Sequence, residues 1–350
     1  MMNEEQLNNW LNKRKERREQ LNAADLLSKM RLQEMSALST AITLLESTRK
    51  DDQKIASELI NLSLPYSGNS IRIGITGVPG VGKSTFIESF GKVLLNAGKR
   101  IAVLAIDPSS EFSGGSILGD KTRMEELSLM DNVFIRPSPA GKTLGGVARK
   151  TRESILLCEA AGFDLILIET VGVGQSETMV HSMVDFFLLL MLAGAGDELQ
   201  GIKRGIMEMA DSLVITKADG DNIQKAKLAS REYQNAMHLF PPNPNGWIAK
   251  AMTCSSVQGE NLEQVWRTIE SFVNQTTLNG WFSKKRHIQD KFWFQETLKD
   301  LILDRFFLDE TNEHEIAQAE SDVIDGKISS FQAAENVFQT YINKQNGTKL

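Results

Sequence analysis

The sequence reads Gly77-Val78-Pro79-Gly80-Val81-Gly82-Lys83-Ser84-Thr85 after the apolar run 71–76, and a helix-like stretch begins at Thr85. This is a G-x-x-x-x-G-K-S pattern in the strand-then-helix context of a phosphate-binding P-loop. Glycines let the backbone curl so that its N–H groups point at phosphate oxygens, and the helix N-terminus adds partial positive charge. Lys83 would bring its charge to the β- and γ-phosphates, and Ser84 would offer a hydroxyl to Mg²⁺. The stretch predicts binding of a nucleoside triphosphate.

Composition narrows the classes of function. The 350 residues carry a formal net charge of −6, whereas a general nucleic-acid binder would carry a basic face, so no nucleic-acid partner is expected. The two cysteines, Cys158 and Cys254, form neither a disulfide framework nor a metal-spaced pair, which favours a reducing cytoplasm. The most apolar run, 186–195, is about half the length that crosses a bilayer, so it predicts a buried strand and no membrane insertion.

Residues 1–65 show apolar positions recurring every three to four residues, which predicts an N-terminal helical extension. The charged run 13–19 within it reads as a solvated helix face, with a contact surface for an acidic partner as the alternative. The segment 64–70 has the Pro, Ser, Gly and Asn composition of a boundary. A second domain is therefore expected from residue 66.

Residues 66–275 contain short apolar runs separated by helix-length connections. This alternation predicts an α/β fold, a P-loop NTPase with a mostly parallel central sheet covered on both faces. In such a sheet the ligand lies beyond the carboxyl ends of the strands, and here polar or glycine-rich residues follow each predicted strand. The predicted strands are 71–76, 100–106, 133–136, 163–169, 184–193, 212–216 and 248–254.

Residues 276–350 return to a helical pattern with a broad apolar stripe. Helices outside the sheet domain must bury such a face somewhere. The face can be buried by packing on the chain's own core or by a contact between two copies. The second possibility predicts a C-terminal dimerisation arm and a homodimer.

The tetrapeptide Thr216-Lys217-Ala218-Asp219 follows an apolar run and has the T/N-K-x-D form of a guanine-specificity loop. Asp219 can accept the N1–H and 2-amino hydrogens of guanine, whereas adenine would leave the carboxylate unpaired. A site built in this way rejects such an analogue by roughly 10⁴-fold or more. Lys217 can lay its stem along the base. Cys254-Ser255-Ser256, after the last strand, could cap the other base edge through backbone N–H groups or form an ordinary turn.

Two carboxylates follow predicted strands, Asp107 after 100–106 and Glu169 at the end of 163–169. Either can hold Mg²⁺ directly or through water, because Mg²⁺ prefers oxygen ligands and keeps part of its hydration shell. The alternative for Asp107 is a helix cap. Gly172 would let a backbone N–H meet the γ-phosphate, so the segment after Glu169 is expected to act as a switch.

Three polar segments, 113–123, 172–177 and 194–204, surround this centre. Such segments can act as switches, because a γ-phosphate orders them and hydrolysis releases them, so that their conformation depends on the bound nucleotide. The alternative is that they are mobile glycine loops that do not switch. In the first segment, Asp120 could reach the metal and Arg123 the phosphate. The residues predicted to serve the switches or a partner are Arg123, Gly172, Gln175, Asp197, Glu198 and Lys203.

Together these stretches resemble the MeaB/ArgK family of P-loop GTPases, and the match runs in order through the central domain. The resemblance implies a Mg²⁺-dependent GTPase that binds GTP and GDP. It also implies a homodimeric chaperone of adenosylcobalamin-dependent acyl-CoA mutases, typically methylmalonyl-CoA mutase, which gates cofactor loading and protects the mutase from inactivation. The stretches that carry it are 77–85, Asp107-Pro108-Ser109-Ser110, Ile117-Leu118-Gly119-Asp120-Lys121-Thr122-Arg123-Met124, Arg136-Pro137-Ser138-Pro139, Thr143-Leu144-Gly145-Gly146-Val147-Ala148, 169–177 and 194–203.

By position, the resemblance makes Lys83 and Ser84 phosphate and Mg²⁺ ligands. It makes Asp107, Asp120 and Glu169 the acidic set around the metal and the switches. It assigns 194–203 to a third switch, with Lys203 implicated in communication with the mutase. No residue is an obvious general base, so slow intrinsic hydrolysis stimulated by the partner is expected, with Lys83, Asp107 and Glu169 as the catalytic set.

The sequence departs from the family pattern at Thr216, where many members carry Asn. The lost amide could loosen the link between the P-loop and the guanine-specificity loop 216–219, here called the base loop. The stretch Ala140-Gly141-Lys142 is a second departure. An older family name suggests a rival function, a regulatory ATPase or kinase of an arginine/ornithine transport system. A nickel-inserting metallochaperone is a further option, although the four scattered histidines offer too few ligands.

Overall fold

The structure is a computed structural model that describes residues 21–106, 124–137, 144–170, 176–194, 204–307 and 309–347. The chain divides into two compact units, Met1–Gln289 and Asp290–Leu350. None of the helices in these described ranges is long and apolar enough to span a bilayer.

The first unit is built on a seven-stranded sheet with strand order β3-β2-β4-β1-β5-β6-β7, and every neighbouring pair is parallel. All seven predicted strands are therefore confirmed, with ends that differ by up to two residues. The carboxyl ends of parallel strands share one edge of the sheet, which gathers the polar residues that follow them. The strands are β1 (Ile71–Gly77), β2 (Ile101–Ile106), β3 (Val133–Arg136), β4 (Leu165–Thr170), β5 (Phe186–Met191), β6 (Ser212–Ile215) and β7 (Lys250–Thr253).

Helices connect the strands and cover both faces of the sheet. Alternate side chains of a strand face opposite sides, and β5 shows this clearly. Leu188 and Leu190 lie in one apolar core, and Leu189 and Met191 lie in the other. The helices of the first unit are α1 (Ala23–Arg31), α2 (Met35–Glu46), α3 (Lys50–Ser63), α4 (Lys83–Asn96), α5 (Glu125–Ser128), α6 (Leu144–Ala160), α7 (Ser176–His181), α8 (Arg204–Met209), α9 (Ile223–Met237) and α10 (Leu262–Leu278).

The three N-terminal helices α1–α3 pack on one another and on α6. Asn22 caps α1, since its side-chain oxygen accepts the Ala24 N–H at 2.8 Å. At the end of α2, Glu46 accepts two hydrogen bonds from the guanidinium of Arg136 on β3. The predicted helical extension is thus present over the described residues 23–63 and is joined to the sheet by this charged pair.

Helix α11 (Trp281–Phe307) begins in the first unit, and the division between the units falls within it. The second unit continues with α12 (Glu310–Ile324) and α13 (Ser330–Gly347), which pack against each other. Within this unit Phe306 meets the edge of Tyr341 at 4.9 Å, and Lys344 pairs with Glu315 at 2.7 Å. These contacts agree with the predicted helical C-terminal part.

A carboxylate, Asp211, is buried at the start of β6. Its Oδ2 accepts the Phe187 N–H at 2.9 Å, and its backbone carbonyl accepts the indole N–H of Trp247 at 2.8 Å. Burial raises the pKa of Asp211 to about 6, although the charge of Lys285 and the Phe187 hydrogen bond act in the opposite direction. The ionised carboxylate is therefore a cost to the fold at neutral pH.

We predict that Asp211→Asn stabilises the protein in a pH-dependent way. The folded state holds the Asp211 proton up to about pH 6, while the unfolded chain loses it near 3.8, so this group removes stability as pH rises between those values. The variant keeps an acceptor for Phe187 but cannot ionise. Its free energy of unfolding should exceed that of the wild type by about 3 kcal/mol at pH 7, with the difference vanishing below about pH 4.

Urea denaturation at pH 4, 5, 6 and 7 measures this difference. Asp131→Asn, the same substitution at an exposed position, is the matched control. A difference between Asp211→Asn and wild type that does not change with pH would contradict the prediction.

Candidate nucleotide-binding site

The P-loop connects β1 to α4, and the helix begins at Lys83, two residues before the predicted start. Gly80 and Gly82 have φ angles of +78° and +88°, which residues with a Cβ rarely adopt. The Lys83 ammonium lies across the loop and donates to the Gly77 carbonyl at 2.9 Å. The Phe86 N–H bonds the Gly82 carbonyl at 2.8 Å, so the first helical turn follows the loop directly.

Gly77 closes β1 at a point where no side chain fits. A Cβ added there would lie 2.4 Å from the carbonyl oxygen of Leu190 on β5. Gly77 pairs with Leu190 in the sheet register, so the close approach belongs to the strand pairing itself. The first glycine of the motif is therefore required by packing at the strand end, in addition to the curvature of the loop.

Ser84, on the first turn of α4, and Glu169, on β4, provide neighbouring oxygens. The Ser84 hydroxyl donates to Oε1 of Glu169 at 3.3 Å. A hydroxyl and a carboxylate side by side at the start of a helix are a fitting donor set for Mg²⁺, which takes oxygen ligands. Just beyond them the buried Thr170 hydroxyl donates to that of Thr76 at 2.8 Å, which ties the ends of β4 and β1 together. Sequence patterns gave no signal for this second bond.

The predicted base loop lies directly against the P-loop. The Thr216 hydroxyl donates to the Val81 carbonyl at 2.8 Å, and the Lys217 ammonium donates to the Gly80 carbonyl at 2.9 Å. Lys217 has a φ of +54°, which turns its side chain back toward the phosphate loop. Threonine at position 216, where the resemblance led us to expect asparagine, therefore makes its own bond to the P-loop.

Asp219 is held by the turn that follows β7. The Ser255 hydroxyl donates to Oδ2 of Asp219 at 2.5 Å, and the Ala218 N–H donates to the Cys254 carbonyl at 3.0 Å. The sequence drew attention to the backbone of Ser255 and Ser256, and the structure adds the Ser255 hydroxyl as a partner of the carboxylate. Burial raises the pKa of the Cys254 thiol to about 12, so Cys254 stays protonated and serves packing.

The described residues thus bring together the P-loop, Glu169, the base loop and the 254–256 turn at the carboxyl edge of the sheet. The remaining predicted site residues lie outside the described parts of the chain. They are Asp107, Asp120, Arg123, Gly172, Gln175, Asp197, Glu198 and Lys203, and the departure at Ala140-Gly141-Lys142 lies there as well.

Comparison with known proteins gives consistent results. The family model described as "Methylmalonyl Co-A mutase-associated GTPase MeaB" matches residues 38–311. The chain is 43% identical over 287 residues to "GTPase ArgK" of Escherichia coli, covering 82% of this chain and 87% of that protein. It is 45% identical over 316 residues to "Methylmalonic aciduria type A homolog, mitochondrial" of Mus musculus, covering 87% of this chain and 76% of that protein.

Among solved structures, the fold resembles one described as "Crystal structure of LAO/AO transport system kinase". The TM-score is 0.70 at 34% sequence identity, and the match covers 91% of this chain and 97% of that chain. The shared architecture agrees with the seven-stranded parallel sheet described above.

We predict that Thr216→Val weakens GDP binding by about 5–30-fold. The change removes the hydroxyl that donates to the Val81 carbonyl, at nearly constant side-chain volume. Thr216→Ser keeps the hydroxyl and should stay close to wild type. Isothermal titration calorimetry with GDP measures both variants. Equal affinities for Thr216→Val and wild type would show that the hydroxyl does not hold the base loop in place.

Proposed function

Because the chain belongs to the MeaB family of methylmalonyl-CoA mutase-associated GTPases, we propose that it is a GTP-hydrolysing chaperone of an adenosylcobalamin-dependent acyl-CoA mutase. GTPase activity itself follows from the family and from the P-loop NTPase fold. In the proposed role, the nucleotide state gates cofactor loading and protects the mutase from inactivation. The mutase-associated family description and the name of the mouse relative support this partner.

The observation that carries the nucleotide assignment is the joining of the base loop to the P-loop through Thr216 and Lys217. One rigid unit then presents phosphate ligands at one end and the Asp219 carboxylate at the other. A carboxylate in this position accepts two hydrogens from guanine. We therefore propose that GTP binds with its base at Asp219 and its phosphates over 77–84.

The proposed chemistry relies on positioning and charge. Lys83 places its ammonium beside the β- and γ-phosphates, and the backbone N–H groups of the P-loop receive phosphate oxygens. Ser84 and Glu169 would hold Mg²⁺, with Asp107 and Asp120 completing the acidic set. Mg²⁺ held there would supply positive charge to offset the negative charge that develops on the phosphates during transfer. Because these groups position the phosphates and supply no obvious base, slow intrinsic hydrolysis that rises on partner binding is proposed.

The proposal extends to switches and assembly. Segments 113–123, 172–177 and 194–204 would sense the γ-phosphate, with Lys203 communicating with the mutase. The proposed division is 1–65, 66–275 and 276–350, with the last part forming a homodimer. Within the second unit, large apolar side chains are exposed and an apolar hollow of about 580 Å³ opens between α12 and α13, which supports a contact between copies.

The rival function is that of a regulatory ATPase or kinase of an amino-acid transport system, which the name of the solved relative favours. The two functions differ in base preference. ATP turnover exceeding GTP turnover would support the rival.

We predict that Asp219→Asn lowers GDP affinity by at least about 100-fold and raises affinity for xanthosine diphosphate. The amide donates where the carboxylate accepted, and xanthine carries an acceptor in place of the 2-amino group. Calorimetry with both nucleotides measures the exchange, and Asp221→Asn, two residues further on and exposed, is the matched control. Unchanged GDP affinity would show that Asp219 does not read the base.

We also predict that Lys83→Ala lowers GTP turnover by at least about 100-fold, because a charge that stabilises the transferring phosphoryl group is lost. Lys92→Ala, on the same helix and paired with Glu126, should hydrolyse GTP like the wild type. Turnover that survives in Lys83→Ala would refute the site.

Adding the purified mutase should raise the single-turnover rate of GTP hydrolysis by the wild-type protein and by Lys92→Ala. Equal rates with and without the mutase would refute the coupling.

A further inference from the structure

Ser89 lies outside the motifs described above, yet its side chain reaches the base side of the site. It is on α4, and its hydroxyl donates to the backbone carbonyl of Ser256 at 2.7 Å. Several other hydroxyls on helices of the first unit donate to the carbonyl four residues earlier in their own helix. Examples are Thr151, Ser154, Thr268, Ser271 and Thr276. Ser89 differs from these because its hydrogen bond joins two segments that are far apart in sequence.

The segment that Ser89 holds is the turn that also holds Asp219. Ser255 donates its hydroxyl to Asp219, and its own backbone N–H donates to the Glu260 carbonyl at 3.1 Å. The Gln258 N–H donates back to the Ser255 hydroxyl at 3.1 Å. The turn is therefore fixed on one side to the base loop, through Ser255, and on the other to the P-loop helix, through Ser89.

We propose that Ser89 is a positioning residue for guanine recognition. A peptide group is planar, so holding the Ser256 carbonyl toward α4 directs the N–H of Val257, which belongs to the same peptide, away from α4 and fixes the course of the turn. The Cys254 and Ser255 N–H groups donate to the Ile215 and Glu260 carbonyls. In this proposal the bond from Ser89 therefore positions the N–H groups of Ser256 and Val257 toward the 6-carbonyl of guanine. The inference rests on the proposed placement of the base between Asp219 and this turn.

The bond joins a side chain on the phosphate-binding helix to the segment beside the base. Ser89 is six positions beyond Lys83 in the chain and is separate from the Ser84–Glu169 pair. Its removal should therefore weaken nucleotide binding while leaving hydrolysis of bound GTP intact. For Ser89→Ala we expect a rise of about three- to tenfold in the Kd for GDP and in the KM for GTP, with kcat unchanged.

Two matched variants accompany Ser89→Ala. Ser89→Thr keeps the hydroxyl and should restore GDP affinity. Ser271→Ala removes a helical hydroxyl that bonds only within its own helix in the contacts described, and it should bind GDP like the wild type. A Kd for GDP that is the same in Ser89→Ala and in Ser271→Ala would overturn the inference.

Nucleotide analogues identify the base edge concerned. Inosine diphosphate keeps the 6-carbonyl and lacks the 2-amino group, so Ser89→Ala should weaken it by the same factor as GDP. In 6-thio-GDP a sulfur that accepts hydrogen bonds poorly replaces the carbonyl oxygen, so the variant should lose less affinity for it. Equal losses for all three, or a smaller loss for inosine diphosphate alone, would overturn the role at the 6-carbonyl. A wild-type protein that binds all three equally would overturn the base placement, and this inference with it.

Discussion

The absence of a side chain at Gly77 is the constraint on which the site depends. A Cβ there would come within 2.4 Å of the Leu190 carbonyl, which the pairing of β1 with β5 places opposite. Any larger residue would push apart two central strands at the edge where the phosphate loop begins. The same glycine presents its own carbonyl to the Lys83 ammonium at 2.9 Å. Gly77 therefore allows the pairing of β1 with β5 and also accepts the hydrogen bond that positions Lys83.

The carbonyl groups of the P-loop explain how the site is organised around an anion. Gly77 O receives Lys83, Gly80 O receives Lys217, and Val81 O receives Thr216. Each of these carbonyls has a donor of its own, so the N–H groups of the loop are the backbone groups that we expect to receive phosphate oxygens. The base loop contributes two of these donors, so the segment predicted to read guanine also helps to shape the P-loop. These hydrogen bonds join the two motifs directly.

Much of this was predictable because it depends on local pattern. The seven strands follow from short apolar runs, and the P-loop and base loop follow from residues that are adjacent in sequence. The Thr76–Thr170 bond, the Ser255–Asp219 bond and the Ser89–Ser256 bond were not predictable, because each joins segments that only the strand order β3-β2-β4-β1-β5-β6-β7 brings together. Thr216 shows the same limit, since sequence revealed a departure from asparagine but not the bond that replaces the amide.

Charged groups buried near the amino ends of the strands serve a different purpose. Asp185, just before β5, receives two hydrogen bonds from the Arg286 guanidinium, at 2.8 and 2.7 Å. Gln289 donates to the neighbouring Val184 carbonyl at 2.8 Å. A buried ion pair adds little net stability, but loss of one partner leaves a charge in the interior at a cost of several kcal/mol, about 3–5. The pair therefore restricts the first turns of α11, up to Gln289, to one position on the sheet.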